Sequence, residues 1–399
     1  MNGPLVFLIA GEPSGDVLGA RLMAACKRLT GGAVRFAGIG GERMAAEGLE
    51  TMVPQAELAL FGVFELLPQI PNLLRRMDQT VAEIVRLQPD VVVSIDSPGF
   101  TVRVAKRVRH AAPRIPLIHY VAPTVWAWKP GRAQKYAAIY DHLLAILPFE
   151  PPYFQRAGLA CTFVGHAVVE GGAGKGDGAR FRTAHGIKPH ERLIAVLPGS
   201  RRSEVTRLLP DFRATLDRLR SNHPSLVAVV PTVATVRDVV TTEVAGWPVR
   251  TIVVEGDEAK YDAFAASEVA LAASGTVTLE LALAGLPMVV AYRLNPVTVA
   301  LYRRFIRVKY VSLVNLMQDR MLVPELLQED CRPDKLAAAV ARLLDDPAAR
   351  REQVEGVAEV ARWLGQGDEP PSERAARVVL DEIGRTQKGA KPAHTGGLE

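Results

Sequence analysis

The sequence predicts an α/β protein with two parallel-sheet domains, and three observations lead to this fold class. Short apolar runs such as LVFLIA, DVVVSID, RLIAVLP and VALAAS alternate with amphipathic stretches of helix length along most of the 399 residues. These runs are continuously apolar, which indicates strands whose two faces are both covered by helices. The pattern then occurs a second time after a glycine-rich stretch at 171–180.

We place the domain boundaries at changes of composition. An N-terminal domain is expected over 1–170 and a second one over 181–346. The stretch 171–180 has no apolar period, so we expect a flexible linker there. Two helical stretches follow over 347–385, and the final residues 386–399 are expected to be disordered.

Composition and charge exclude several classes of protein. With 48% apolar, 23% charged and 6% aromatic residues, the chain is neither collagenous nor mostly disordered. Three distant cysteines support neither a zinc ribbon nor a disulfide framework and favour a reducing compartment. We expect no signal peptide, because the N-terminus lacks a basic region, and no membrane span, because no apolar run reaches about 18 residues. The net charge of +5 suggests an anionic partner.

The first candidate site is the turn in LVFLIAGEPSGD, between a predicted strand and a predicted helix. Ligands of open α/β sheets bind at the carboxyl ends of strands, where free N–H groups of a helix favour anions or sugar hydroxyls. The glycines at 11, 15 and 19 do not fit G-x-G-x-x-G, which argues against a dinucleotide site. The alternative is a plain turn capped by Ser14 or Asp16.

Asp96 follows a predicted buried strand in PDVVVSIDSPGF. At the carboxyl end of that strand its carboxylate can face a cleft, and an apolar cleft raises a carboxyl pKa toward the range that a general base needs. The alternative is that Asp96 only caps the next helix.

Two further turns have the composition of an anion site. In LPGSRRSEV, Arg201 and Arg202 stand at the start of a helix, where positive side chains oppose the helix dipole unless an anion such as a diphosphate is present. The alternative is a pair of solvated arginines beside Glu204. In ASGTVTLELAL, backbone N–H groups of the turn at 274–276 can hold phosphate. Glu280 can accept hydrogen bonds from two ribose hydroxyls, unless it forms a buried pair with an arginine.

Two segments are candidates for lipid contact. The stretch 57–77 is rich in large apolar residues with no clean strand or helix period, so it is either an exposed apolar lid or a buried segment. The stretch 293–310 carries arginines and a lysine without one acid, which suits an anionic membrane surface better than RNA. The residues expected to contact membrane or acyl chains are Leu60, Phe61, Phe64, Leu66, Leu67, Arg303, Arg304, Arg307 and Lys309.

No metal or cofactor is expected. The sequence lacks H-E-x-x-H and any D-x-D that would chelate a divalent cation on a nucleotide diphosphate. His119 and His166 follow apolar runs, and a structural role is the simpler interpretation for both.

Several distinctive segments occur in order along the chain. They are AGEPSGD, GIGGERM, ELALFG, SIDSPGF, YVAPTVWAWKPGR, LPFE, FVGH, LPGSRRSEV, ASGTVTLELAL and YVSLVNL. Through them the chain resembles the lipid-A-disaccharide synthase family from its start to about residue 385. The resemblance implies two Rossmann-like parallel-sheet domains that face a cleft, which is the glycosyltransferase B-type fold. It also implies inverting transfer of 2,3-diacylglucosamine from its UDP donor to the 6-hydroxyl of 2,3-diacylglucosamine 1-phosphate, which gives a β-1,6 disaccharide phosphate and UDP.

The resemblance assigns roles residue by residue. Asp96 would take the proton from the acceptor hydroxyl, and the turns at 199–201 and 274–276 would hold the departing diphosphate in place of a metal. Two departures from the family pattern are Gly99, where a second acid is common, and Val314, where proline is usual. The implied donor-side residues are Gly199, Ser200, Arg201, Ser274, Gly275, Thr276, Glu280 and Asn315, and the implied acceptor-side residues are Glu12, Ser14, Gly15 and Asp16.

The resemblance also implies where each part of the enzyme acts. The N-terminal domain would bind the acceptor and face the membrane, the second domain would bind the UDP-sugar, and the helices over 347–385 would return to an N-terminal domain. We expect a peripheral protein on the cytoplasmic face of the inner membrane, with no nucleic-acid partner, and a homodimer is compatible with this organisation. A non-hydrolysing UDP-sugar epimerase on the same scaffold and a non-enzymatic module that binds anionic lipid are the alternatives.

Overall fold

The structure is a computed structural model that describes residues 3–58, 70–293, 308–387 and 389. Its two compact units are Met1–Ala167 with Asp368–Glu399, and Val168–Gly367. The strands are β1 (Leu5–Ala10), β2 (Arg35–Ile39), β3 (Val91–Ile95), β4 (Leu117–Tyr120), β5 (His142–Ala145), β6 (Ala160–Phe163), β7 (Arg192–Leu197), β8 (Leu226–Thr232), β9 (Arg250–Glu255), β10 (Val269–Ala273), β11 (Met288–Tyr292) and β12 (Glu325–Leu327).

The α-helices and 3₁₀ helices of the described residues complete the element order. The α-helices are α1 (Pro13–Leu29), α2 (Glu42–Ala46), α3 (Ile70–Leu87), α4 (Pro98–Ala111), α5 (Arg132–Ala137), α6 (Pro151–Gln155), α7 (Gly178–Ala184), α8 (Arg202–Arg220), α9 (Arg237–Val244), α10 (Asp257–Ala266), α11 (Val277–Leu283), α12 (Leu313–Gln318), α13 (Pro333–Asp345), α14 (Pro347–Trp363) and α15 (Pro371–Gln387). The 3₁₀ helices are Gln55–Glu57, Ala167–Gly171, Ala173–Lys175 and Gln328–Asp330. None of the described helices is both long enough and apolar enough to cross a bilayer.

The first unit is built on a six-stranded parallel sheet with the order β2-β1-β3-β4-β5-β6. Every residue of β1 and of β3 is buried, as their continuous apolar runs predict. Successive residues of β1 contribute to two different apolar clusters, one on each side of the sheet. Because the chain leaves β1 for β2 on one side and returns to β3 on the other, the strand order reverses between β1 and β3. The carboxyl ends of these two strands are therefore the expected ligand-binding point of this sheet.

Helix α15 closes one face of the first sheet, although it is the last helix among the described residues. Ala375, Ala376 and Val379 are fully buried in the apolar cluster that also holds Leu22 of α1. Burial of each large aliphatic side chain there stabilises the unit by about 1.5–3 kcal/mol. Glu382 adds a buried polar contact, since its Oε1 lies 2.9 Å from Nδ1 of His142 in β5.

The second unit has its own parallel sheet, with the order β12-β11-β10-β7-β8-β9. Its strand order reverses between β7 and β10, so the carboxyl ends of these two strands form the equivalent ligand-binding point. The turn at 198–201 follows β7, and the turn at 274–276 follows β10. The two parallel sheets confirm the predicted α/β fold class.

The glycine-rich stretch 171–180 differs from the flexible linker that its composition suggests. It forms a short 3₁₀ helix and the start of α7, and it packs against α10 of the second unit. A Cβ on Gly176 would lie 2.0 Å from the carbonyl oxygen of Tyr261, and one on Gly178 would lie 2.5 Å from that of Ala265. The glycines are therefore needed for close approach of two backbones.

The two helices predicted over 347–385 also differ from expectation, because the structure assigns them to different units. Helix α14 belongs to the second unit, whereas α15 belongs to the first. Gln353 of α14 is almost fully buried and accepts a hydrogen bond from the backbone N–H of Met288. A Cβ on Gly356 would lie 2.4 Å from the Leu322 side chain, so the glycine allows α14 to pack closely against the loop that contains Leu322. Only α15 returns to the N-terminal unit.

Candidate functional site

Asp96 directly follows β3, at the point where the strand order of the first sheet reverses. Both Asp96 and Ser97 have φ near +48°, in the left-handed region that costs a non-glycine residue about 1 kcal/mol or more. Hydrogen bonds hold this bend: the Asp96 N–H donates to the Tyr120 carbonyl at 3.0 Å, and Thr101 Oγ1 donates to the Asp96 carbonyl at 2.7 Å. The bend turns the chain directly from β3 into α4.

The Asp96 carboxyl is half-buried and has a shifted pKa. Burial raises the pKa of this carboxyl, the negative charge of Glu12 raises it further, and the backbone N–H of Ser97 opposes the shift. A carboxyl with a raised pKa is a stronger base than one in water, so it is better matched to accepting a proton from an alcohol. Sequence reasoning predicted both the position of Asp96 and the direction of this shift.

Glu12 and Ser14 lie in the turn between β1 and α1, beside Asp96. Both are exposed, and Ser97 Oγ donates to Glu12 Oε1 at 3.0 Å. Nε2 of Gln55 donates to the carbonyls of Ala10 and Glu12, at 3.1 and 3.0 Å, which fixes this turn. The structure thus brings these two predicted acceptor-side residues to the same end of the sheet as Asp96.

Gly15 and Asp16 are both buried, and Asp16 has a structural role instead. Gly15 packs its backbone against Ala10 and Ile95, where a Cβ would already be in contact. Asp16 is 5% exposed, and its carboxylate accepts hydrogen bonds from the backbone N–H groups of Gly41, Arg43 and Met44 at 2.8, 3.0 and 3.0 Å. Asp16 therefore caps α2 and does not make the expected acceptor contact. A capping role was the alternative considered for it, but at the start of its own helix, α1, and not of α2.

Around Asp96 the structure shows a buried polar cluster, of which sequence reasoning had singled out His119 alone and given it a structural role. His119 of β4 is 1% exposed, and its Nδ1 lies 2.8 Å from Ser94 Oγ. Burial, assisted by the charge of Arg132, lowers the pKa of His119 to about 3, so the ring is neutral at pH 7. Tyr136 and Tyr140 pack against this ring, with centroids 5.2 and 5.0 Å away. The signal in the sequence was the aromatic segment YVAPTVWAWKPGR, whose far end carries Arg132.

In the second unit, the turn after β7 has the geometry of a glycine-dependent loop. Gly199 has φ +112°, and a Cβ there would lie 2.8 Å from Glu204 Oε2. Ser200 and Arg201 are exposed, and Arg201 Nη1 lies 2.9 Å from Glu204 Oε1. The Arg201 side chain is 79% exposed, although that of Glu204 is only 15% exposed, so an anionic ligand can reach the guanidinium from solvent. Arg202 points instead to Asp238, at 2.6 Å.

The turn after β10 is open on its outer side. Gly275 has φ +157° and no atom within 4 Å of a Cβ placed on it. Gly275 and Thr276 are exposed, whereas Ser274 is partly buried. Thr278 Oγ1 donates to the Gly275 carbonyl at 2.8 Å and closes the turn into α11. Strands β7 and β10 pair in parallel, so the turns that follow them lie side by side at the same edge of the sheet.

Glu280 of α11 has a partner in this structure. Both carboxylate oxygens lie 3.1 Å from Nζ of Lys260, which also contacts Asp257 at 3.0 Å. Burial raises the pKa of the Glu280 carboxyl, and the Lys260 ammonium opposes that shift. The structure therefore shows the buried pair that was the alternative to a ribose contact, with lysine in the place of arginine.

Asn315 is fully buried, which differs from the expected donor-side contact. Its Nδ2 donates to the Val323 carbonyl at 2.8 Å and to Glu325 Oε1 at 2.7 Å, and its Oδ1 accepts from the Val323 N–H at 2.9 Å. Glu325 in turn accepts from the backbone of Val311 and Ser312. Asn315 therefore fixes the loop that follows α12 and has no exposed surface to offer a ligand.

Most of the predicted lipid-contacting residues lie outside the described part of the chain. These are Leu60, Phe61, Phe64, Leu66, Leu67, Arg303, Arg304 and Arg307. Lys309 is described: it is exposed, and its Nζ lies 5.0 Å from the ring centroid of Tyr310. Among the described residues, no three His, Cys, Asp or Glu side chains are grouped as metal ligands.

Comparison with known sequences identifies the family. The chain matches the family described as lipid-A-disaccharide synthetase over residues 6–379. It is 64% identical over 383 residues to a lipid-A-disaccharide synthase of Rhodospirillum centenum, with 96% of each chain covered. It is 52% identical over 381 residues to the protein of the same name in Paramagnetospirillum magneticum, with 95% of this chain and 97% of that one covered.

Solved structures with the same fold share far less sequence. A UDP co-structure of S. aureus MnaA has a TM-score of 0.64 at 12% identity and covers 99% of this chain and 100% of that one. Acinetobacter baumannii MurG has a TM-score of 0.57 at 15% identity and covers 96% of this chain and 99% of that one. At such identities the likeness concerns the fold alone. The family match and the two high-identity relatives show that this chain belongs to the lipid-A-disaccharide synthase family.

Proposed function

We propose that this protein is an inverting glycosyltransferase. It moves 2,3-diacylglucosamine from UDP-2,3-diacylglucosamine to the 6-hydroxyl of 2,3-diacylglucosamine 1-phosphate, and the products are the β-1,6-linked disaccharide 1-phosphate and UDP. The observation that carries this proposal is the half-buried Asp96 carboxyl, whose pKa is raised at the ligand-binding end of the first sheet. The family and its named relatives support the choice of substrates.

In the proposed reaction, Asp96 accepts the proton of the acceptor 6-hydroxyl while the alcohol oxygen attacks the anomeric carbon of the donor. The bond from that carbon to the diphosphate oxygen breaks on the opposite face, so the configuration inverts and UDP leaves with the bonding electrons. General-base assistance of this kind contributes about 10²–10⁴-fold to the rate. Glu12 keeps the Asp96 carboxyl basic through its charge, and Ser14 lines the acceptor side of the same turn.

The departing diphosphate is held, in this proposal, by the two turns of the second sheet. The Gly199–Arg201 turn supplies the exposed guanidinium of Arg201, which an anionic ligand can reach from solvent although Glu204 also contacts it. The Ser274–Thr276 turn supplies backbone N–H groups from the neighbouring strand. Glu280 would bind the ribose through the hydrogen-bonding capacity that its carboxylate keeps beside Lys260. Asn315 supports the donor side indirectly, because it fixes the loop after α12.

The membrane-facing part of the proposal rests on the sequence. The apolar stretch 57–77 and the basic stretch 293–310 fit a peripheral association with an anionic membrane surface, since both substrates carry acyl chains. The cytoplasmic face of the inner membrane is the proposed location, and a homodimer remains compatible with the proposal.

Mass spectrometry of the product tests the proposal directly. The protein is incubated with the two acylated sugars in the presence of EDTA, and a disaccharide monophosphate together with UDP is expected. A parallel incubation with UDP-N-acetylglucosamine alone tests the epimerase alternative, and no epimer is expected. If the folded protein forms no disaccharide, or if it forms an epimer of the UDP-sugar, the assignment is overturned.

A further inference from the structure

Arg132 and Tyr136 lie side by side at the edge of the candidate acceptor site. Arg132 is the first residue of α5, and Tyr136 lies one turn later, so the two side chains share a face of the helix. The guanidinium carbon of Arg132 is 5.9 Å from the ring centroid of Tyr136. Neither residue belongs to the machinery assigned above.

The Arg132 guanidinium lacks an acidic partner. It is partly buried, yet within the described part of the chain its recorded neighbours are the Tyr136 side chain and the neutral His119 ring, and no carboxylate pairs with it. Other partly buried arginines of the same unit have an acceptor. Arg76 and Arg109 contact the carboxylates of Glu57 and Asp141 at 2.7 and 2.5 Å. Arg21 and Arg374 donate to the carbonyls of Ala167 and Phe163 at 2.7 and 3.0 Å. A guanidinium removed from water without a counter-charge is unfavourable, so this position favours an anionic ligand.

Tyr136 provides the second observation. It is 2% exposed, and its Oη makes no hydrogen bond of good geometry with the described residues, although the Arg132 guanidinium lies close enough to act on the hydroxyl. Leaving a buried hydroxyl without a good hydrogen bond costs about 1–3 kcal/mol, so a ligand oxygen that completed its hydrogen bonding would be favourable here. Burial raises the pKa of this hydroxyl, the Arg132 guanidinium opposes that shift, and the Asp96 charge adds to it. The hydroxyl therefore lies within electrostatic reach of both Arg132 and the proposed base.

The elements that carry these residues are fixed relative to Asp96. Strands β3 and β4 are neighbours, and the Asp96 N–H donates to the carbonyl of Tyr120 at the end of β4. The loop from β4 to α5 is held by Trp126, whose Nε1 donates to Glu150 at 3.2 Å. Tyr136 packs edge-on against His119 of β4. A ligand group at Arg132 and Tyr136 would therefore keep a defined position relative to the Asp96 carboxylate.

We propose that Arg132 and Tyr136 form the subsite for the anomeric phosphate of the acceptor. The inference rests on the proposed function, in which the acceptor is a sugar 1-phosphate. Its oxygens accept hydrogen bonds from the guanidinium and from Tyr136 Oη, and so supply the anion and the acceptor atom that these groups lack. The phosphate and the 6-hydroxyl lie at opposite ends of the C1–O5–C5 side of one sugar ring, so an anchored phosphate directs the hydroxyl toward Asp96.

The test compares two acceptors that differ only in the phosphate, 2,3-diacylglucosamine 1-phosphate and 2,3-diacylglucosamine, in the same neutral-detergent micelles without anionic lipid. The wild-type protein is expected to prefer the phosphorylated acceptor by about tenfold or more in kcat/KM, the scale of one hydrogen bond to a charged group. Arg132→Gln is expected to lose that preference to within about twofold while the KM for the UDP-sugar is unchanged. Lys135→Gln removes the same charge from an exposed position of the same helix and should keep the preference.

A variant that keeps the wild-type preference after Arg132→Gln would overturn the subsite but leave the proposed function intact. A wild-type protein that forms no disaccharide with either acceptor would refute the proposed function and the subsite together. Tyr136→Phe gives a second readout, because removal of an unpartnered hydroxyl leaves the free energy of unfolding equal or higher. We expect it to raise the KM for the phosphorylated acceptor about threefold or more, and an unchanged KM would exclude Tyr136 from the subsite.

Discussion

Replacement of Asp96 by asparagine separates catalysis from folding and from donor binding. Asparagine keeps the shape of the side chain but cannot accept the proton, so turnover should fall by about 10²–10⁴-fold, or about 3–5 kcal/mol of transition-state stabilisation. UDP affinity, measured by titration calorimetry, should be unchanged, because the proposed UDP contacts lie in the second unit. Since burial raises the pKa of Asp96, the charged form is disfavoured by folding, and the variant should be as stable as the wild type or more stable at pH 7.

The pH dependence gives a second check on the same residue. Asp96 must be deprotonated to act, so kcat/KM should fall as the pH drops through its raised pKa. Glu12→Gln removes one cause of the shift, which should move this acid limb to lower pH. Near-normal turnover of Asp96→Asn, or an acid limb that does not move in Glu12→Gln, would refute the reasoning. Circular dichroism and urea unfolding serve as the controls for folding.

Three further predictions concern residues of defined geometry. Arg201→Ala should weaken UDP binding by about 1.5–3 kcal/mol in calorimetry, whereas Arg202→Ala, which loses an exposed pair with Asp238, should leave it unchanged; equal effects would contradict the assignment. Asp16→Ala leaves backbone N–H groups near α2 without an acceptor and should lower the free energy of unfolding by about 1–3 kcal/mol in urea titrations, with a smaller loss pointing to replacement by water. The hydrogen bond with His142 lowers the pKa of the Glu382 carboxyl below its usual value, although burial opposes that shift, so this carboxylate stabilises the fold above its unfolded pKa and loses that contribution as the pH falls. Glu382→Gln should therefore be destabilised by about 1–3 kcal/mol at pH 7, with the difference narrowing in acid; a pH-independent difference would contradict this role of the carboxylate.

The features that could be predicted from the sequence are those fixed by local pattern. Asp96 stands immediately after five buried residues, so its place at the end of β3 follows from the strand itself. The turn at Gly199 could be predicted because Pro198, Gly199 and Ser200 interrupt the apolar run directly after β7. The place of each residue in its element therefore follows from the neighbouring residues along the chain.

The features that could not be predicted depend on partners far along the chain. Glu280 was expected to need a partner, but Lys260 reaches it from another helix 20 residues earlier. Asn315 was expected to contact the donor, but its side-chain amide is hydrogen-bonded to Val323 and Glu325 instead. The same holds for Gly176, whose role is visible only once the backbone of Tyr261 lies against it. Composition shows that such residues are unusual but does not show what they meet.

The return of α15 to the first sheet has a consequence for how this protein is made and divided. A polypeptide that ends at Ala167 would leave the apolar side of α1 around Leu22 without its cover, because Ala376 and Val379 are synthesised last. The N-terminal unit is thus completed only after the whole second unit has emerged from the ribosome. A separate N-terminal fragment would have to carry residues 368–387 by a new linkage to reproduce the native packing.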